Sequence, residues 1–379
     1  MEHRIIKTFN NKFDRPADLI VKSPGRINII GEHTDYNEGF VLPAAIDYAI
    51  YFSMAKSSGS KTRLYSADFK ALYELDKNHI AKTGDKWVDL CLGVIEQLSE
   101  HIGQFDVVFG GNIPKGAGLS SSAALCCGLC FGLSRLFDLN LDKWCMARIA
   151  QKSEHTFGGT ECGIMDQFAC LFGMTNHVLE LDCKTNFYQP HEFDLSGYRF
   201  LLIDSGITHA LEASDYNTRK HECKVALDKL KYASSEIASF QDVSIDTFLD
   251  YGQQLTATEF RRAKHVIMEN YRVGYMIKML RERDFVGAGK CLLAGHKSLK
   301  SDFEITCMET DFLVRELMQH DVVLGARQVG GGFGGCVLAI TKDLNLNNLF
   351  ELVKRKYRKR YKLNPRMIPV RISGGCDVV

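Results

Sequence analysis

The chain has 379 residues, 45% hydrophobic and 25% charged, with a formal net charge of +1. That composition suits a globular protein long enough for two domains, and the near balance of charge argues against nucleic acid or a membrane surface as the main partner. No stretch approaches the roughly 20 apolar residues of a membrane span. The charged opening "MEHRIIKTFNNKFDRP" lacks an apolar signal core, so the chain is expected in the cytoplasm. Thirteen cysteines, an odd number without a disulfide-like framework, suit reduced thiols there. In chain order, "YAIYFSMAK" (48–56) and "FDVVFG" (105–110) read as strands, rich in aromatic and β-branched residues. "SSAALCCGLCFGLSRLF" (121–137) is apolar nearly all round and reads as a buried helix. Its Cys127 and Cys130 lack a second Cys/His pair at zinc spacing and are expected to be buried small side chains.

The texture changes after about residue 184, where "CKTNFYQPHEFDLSGY" combines Pro190 with turn formers. This sets the expected domains at 1–187 and 188–379. "RFLLIDSG" (199–206) reads as a strand, and charged helices follow, one with Ala226, Leu227, Leu230, Ala233 and Ile237 at helical spacing. Strands return at "CVLAIT" (336–341) and "MIPVRI" (367–372). The basic run "KRKYRKRYK" (354–362) shares a helix with Phe350, Val353, Tyr357 and Tyr361 on one face, which makes it a solvated face opposite a buried stripe. The expected fold class is α+β, in two domains.

Three segments concentrate chemistry. "GAGLSSSAA" (116–124) lies between a strand and a helix, where free N–H groups and the helix dipole favour an anion. It is not a Walker A loop, because Lys115 precedes the glycines. Read alone, it is also compatible with a plain serine-capped helix. "SPGRINIIGEHTDYNEGFVLPAAID" (23–47) crowds Arg26, Glu32, His33 and Asp35 into ten residues, charges that are costly to bury unpaired. "SEHTFGGTECGIMDQFAC" (153–170) carries Glu154 and Asp166 on either side of a glycine-rich turn. Carboxylates in such settings serve as bases or metal ligands.

These segments resemble the galactokinases of the GHMP family of small-molecule kinases. "GRINIIGEHTDYNEGFVLPAA" resembles their signature, "PKGAGLSSSAA" the family's nucleotide loop, and "GARQVGGGFGGC" (325–336) its third motif. "CGIMDQF" and "HALEASDYNTRK" (209–220) also match, so the resemblance runs from about residue 13 to about 340. Ser23, Leu90 and the pair Gln328–Val329 depart from the usual pattern. The resemblance implies a two-domain GHMP-kinase fold with mixed sheets and an active-site cleft between the domains. It also implies a monomer that uses Mg²⁺ and ATP to phosphorylate D-galactose at the 1-hydroxyl, without nucleic acid or membrane partners.

By the same resemblance, Gly116, Ala117, Gly118, Leu119, Ser120, Ser121 and Ser122 wrap the nucleotide phosphates, with Trp87 against the adenine. Ser122 and Glu154 hold Mg²⁺. Asp166 accepts the proton of the anomeric hydroxyl, and Arg26 neutralises charge on the moving phosphoryl group. Glu32, His33, Thr34 and Asp35 clamp the sugar, with Gly163 and Tyr216 completing its site. Two alternatives stay open at this point: a kinase for N-acetylgalactosamine or another sugar, and a galactose-sensing regulator without chemistry.

Overall fold

The computed structural model describes residues 1–76, 79–114, 116–207 and 212–379, with side chains from residue 215 onward in the last stretch. Lys115 and residues 209–211 of the "HALEASDYNTRK" match lie outside the described residues. Helix α1 (Glu2–Phe13) precedes β1 (Leu19–Asn28), the short β2 (Phe40–Val41) and the long β3 (Pro43–Lys56). A hairpin of β4 (Thr62–Ser66) and β5 (Ala71–Leu75) leads to α2 (Lys86–Leu98) and β6 (Phe105–Gly111). Next come α3 (Ser121–Leu136), α4 (Lys143–Thr156), α5 (Met165–Phe172), β7 (His177–Asp182), β8 (Tyr188–Glu192) and β9 (Tyr198–Asp204). A helical block follows: α6 (Glu212–Ala233), α7 (Ile245–Tyr251), α8 (Ala257–Arg281), α9 (Phe285–Ser298) and α10 (Met308–Leu317). The chain closes with β10 (Val323–Val329), β11 (Cys336–Lys342), α11 (Asn347–Tyr361), β12 (Arg366–Pro369) and β13 (Asp377–Val378).

The strands form a six-stranded sheet in the order β13-β1-β3-β6-β4-β5, a four-stranded sheet β10-β11-β9-β12 and a three-stranded sheet β2-β7-β8. The first is mixed, because β4 runs parallel to β6 while its other pairs are antiparallel. The fold is therefore α+β, as the alternating strand and helix signals imply. The expected strand over 367–372 ends at Pro369, which has no N–H to extend the ladder; Ile372 adds a single bridge to Ile46. The apolar spacing through Ile237 also outruns its helix: α6 ends at Ala233, and Ile237 is buried beyond that end.

Helix α3 is buried on nearly all sides, with Cys126, Cys127 and Cys130 fully enclosed, and all thirteen cysteines are free thiols. It packs against Phe52 and Met54 of β3 in the largest core, which continues through Val273 and Met276 of α8 to Leu338 and Ile340 of β11. A second core lies between the four-stranded sheet, α10 and α11, where Val353 and Tyr357 are buried and Phe350 and Tyr361 half-buried. The basic residues of that helix lie on its outer side, the arrangement of a solvated face. A third core gathers Cys223, Leu230, Val266 and Phe303. We propose a division near residues 187/188, between β7 and β8, into two lobes that share the largest core. No described helix is long and apolar enough to cross a membrane.

Candidate active site

Strand β1 shifts register against β3 between Pro24 and Arg26, a bulge that re-aims the following side chain. There the Arg26 backbone N–H reaches the carbonyl of Leu119 in the glycine–serine loop, at 3.3 Å. The Arg26 guanidinium donates from Nε and Nη2 to the two oxygens of Asp166, at 2.7 Å each, and from Nη1 to the carbonyl of Gly118, at 2.6 Å. Burial opposes its charge, and the facing Asp166 carboxylate outweighs that cost, so its pKa is raised. Asp166 opens α5 in its first turn. A third donor reaches it: the hydroxyl of Ser120.

Ser120 precedes α3 at φ 59°, ψ 47°, a left-handed conformation uncommon for a side chain with a Cβ. Its hydroxyl does not cap the helix; it bonds the carboxylate instead. The plain serine cap is thereby replaced by a contact inside the site. The N-terminus of α3, where a helix leaves its first N–H groups without partners inside the helix, borders a cavity of about 370 Å³ that is lined along this side by residues 116–122. Gly118 (φ +71°) meets Gly330 (φ +91°) of the third glycine-rich motif; a β-carbon on Gly330 would sit 3.2 Å from the Gly118 carbonyl. Glycine at both positions lets the two loops meet backbone to backbone.

Behind the loop, Ser122 Oγ donates to one oxygen of Glu154 at 2.7 Å, and Gln167 Nε2 donates to the other at 2.7 Å. Burial, partly offset by the Ser122 bond and reinforced by the Asp166 charge, pushes the Glu154 carboxyl up to about 7. This pair presents two hard oxygens at the helix N-terminus, beside the loop.

The third wall carries Glu32, His33 and Asp35. Glu32 accepts from the N–H of Gly330 and from Asn28 Nδ2, with Arg327 Nη2 at 3.4 Å. His33, at φ 62°, bonds Tyr36 Oη through Nδ1 at 2.7 Å and packs its ring 5.2 Å from that of Tyr216. Burial, and then the nearby cations and His265, hold its imidazole down at about 3, so it is neutral. Burial, and then the Asp166 charge, push the Asp35 carboxyl up to about 7. Gly163 lies against it: a β-carbon there would sit 2.1 Å from Asp35 Oδ2. Tyr216 reaches the cavity from α6.

Most of the candidate residues thus converge on one cavity. Thr34 stands behind it, fully buried, with its hydroxyl 2.6 Å from the Phe40 carbonyl, to which it donates, and 2.9 Å from that of Gly31. Trp87 is buried between Phe69 and Phe109, and the cavity is lined on that side by Lys86 and Leu90. Lys86 is a cation that sequence reasoning passed over, although it stands next to Trp87. Gly331, Met165 and Cys162 also line the cavity; the last two flank Asp166 and Gly163 in a segment already singled out.

The GHMP kinases N terminal domain matches residues 89–174, the galactokinase galactose-binding signature residues 7–56, and the GHMP kinases C terminal domain residues 276–359. The chain is 39% identical over 362 residues to a galactokinase of Thermotoga maritima, covering 95% of this chain and 99% of that one. It is 35% identical over 381 residues to a galactokinase of Glaesserella parasuis, covering 98% and 97%. The crystal structure of Lactococcus lactis galactokinase complexed with galactose superposes at a TM-score of 0.94, with 32% identity and 98% of each chain covered. A mevalonate kinase superposes at a TM-score of 0.64 and 17% identity, with 94% of this chain and 100% of that one covered, a likeness of fold alone. Identity over almost the whole length, the shared fold and the matched sugar-binding segment lead to one conclusion: this chain belongs to the galactokinases, within the GHMP kinases.

Proposed function

We propose that the cavity binds D-galactose and MgATP side by side and transfers the γ-phosphoryl group to the sugar's 1-hydroxyl. The observation that supports this most is the meeting of the anion-binding loop, the Arg26–Asp166 pair and the acidic 32–35 segment around a single space. Phosphoryl transfer depends mostly on positioning and charge neutralisation. Asp166 orients the 1-hydroxyl and accepts its proton; Arg26 neutralises charge as the phosphoryl group moves. The N–H groups at the start of α3 hold the phosphates. Asp35 and His33 read the sugar hydroxyls, with Gly163 and Tyr216 shaping the wall beside them.

Ser122 and Glu154 fit magnesium, which favours a few hard protein oxygens together with phosphates and water. When bound there, the ion supplies charge neutralisation to the nucleotide phosphates. Rates of ADP release across a panel of hexoses test the reading. Galactose should exceed glucose by about 100-fold or more in kcat/KM, because a site built to bond one hydroxyl leaves its partners unpaired with the other isomer. Comparable rates on both sugars overturn it.

A further inference from the structure

The segment that carries Glu32, His33 and Asp35 is held from behind by α8. The backbone N–H groups of Gly31 and Glu32 both donate to Glu269 Oε1, at 3.0 and 3.1 Å. Glu269 is completely buried, and its other oxygen accepts from Arg272 one turn along the same helix. One turn earlier, His265 Nε2 donates to the carbonyl of Glu32 at 3.0 Å. At the far end of the segment, Asn270 Oδ1 accepts from the N–H of Phe40 at 2.9 Å.

The backbone has little freedom of its own in this grip. Gly31 lies at φ +91°, where a β-carbon would sit 2.6 Å from the Phe40 carbonyl; one on Gly39 would sit 2.5 Å from Asn270 Oδ1. Buried N–H groups demand acceptors, and leaving two of them unpaired is costly. Despite its burial, Glu269 is held down at about 2, because Arg272, His265 and Arg327 and the Glu32 N–H favour its charged form. The acceptor therefore carries a full charge, which strengthens both bonds.

We infer that Glu269, supported by His265, is a positioning residue for galactose: it fixes the backbone from which Glu32, His33 and Asp35 face the sugar. This rests on the assignment of that segment to galactose. The nucleotide loop is a separate segment held by β1 and α5, so disturbing α8 should act on the sugar and spare ATP.

The test is calorimetric titration of galactose into the whole enzyme, with KM for ATP and melting temperature measured alongside. Glu269→Gln keeps the shape but sets an amide N–H against either the backbone donors or Arg272. It should weaken galactose binding by about tenfold or more, the usual cost of a lost bond to a charged group, and leave KM for ATP within about twofold. Ile267→Ala, on the same helix but in the third core, should lower the melting temperature without that split. A Glu269→Gln enzyme that melts earlier yet binds galactose as wild type overturns the inference. Should Glu269→Gln fail to fold, His265→Leu takes its place. It should weaken galactose binding, and His265→Gln, whose amide reaches the same carbonyl, should restore it; unchanged affinity in His265→Leu overturns the inference. Wild-type enzyme that does not bind galactose overturns the assignment of the segment to the sugar instead.

Discussion

The two terminal nitrogens that Arg26 turns toward Asp166 and Gly118 tie three separated segments together: the β1 bulge, the glycine loop and the start of α5. The carboxylate accepts a fork from Arg26 and a hydroxyl from Ser120, so its position is set before any substrate arrives. A group so placed should matter to the chemical step and little to nucleotide binding. Asp166→Asn should lower kcat by about 100-fold or more, the usual scale for a positioned acid–base group. Its KM for ATP should stay near that of wild type. Steady-state kinetics, with melting curves to confirm folding, check both.

Ser122 and Glu154, which we propose as magnesium ligands, bond each other at 2.7 Å beside the glycine–serine loop. Ser122→Ala and Glu154→Gln should each raise the Mg²⁺ concentration needed for half-maximal rate by about tenfold or more, and lower kcat. Titration with Mg²⁺ at saturating ATP and galactose measures this. Wild-type Mg²⁺ dependence in both variants would remove them as ligands.

The Asp35 carboxyl is pushed up to about 7 by burial and by Asp166, so the proposed sugar site should respond to pH. In the free enzyme it holds its proton below that value. If galactose binds the ionised form, deprotonation must precede binding, and affinity falls as pH falls, by about tenfold per unit well below the pKa. Galactose binding should therefore weaken from about pH 7.5 to about pH 5.5, and Asp35→Asn should bind weakly with no slope. A flat wild-type profile excludes the ionised carboxylate as the sugar's partner.

Much of this site was readable because its residues cluster along the chain. Arg26, Glu32, His33 and Asp35 lie within ten residues, and the glycine–serine loop sits between a plain strand and a plain helix. What the residues do to one another was less readable. Ser120 has the look of a helix cap, yet its hydroxyl turns to a carboxylate 46 residues away. Trp87 has the chemistry of an adenine platform, but the apolar pattern of α2 draws its indole between Phe69 and Phe109. Glu269 and His265 are hidden more completely: they look like ordinary members of a charged helix, and their partners lie 238 and 233 residues away. Only tertiary packing gives those charges their purpose. The strand ends at Pro369 for a local reason that the apolar pattern over 367–372 masked.

We propose that Arg26 and Asp166 act as one unit on one transition state. A double-mutant cycle in kcat tests it most directly, using Asp166→Asn, Arg26→Ala and the double variant, with Arg26→Lys as the charge-preserving control. Arg26→Lys should lose activity, because it loses the fork, but less than Arg26→Ala. The double variant should lose clearly less than the product of the two single losses, as residues that serve one step do. Strictly multiplicative losses, or an Asp166→Asn enzyme with near-normal kcat, would contradict the account and move the transfer to another carboxylate, with Asp35 the first to examine.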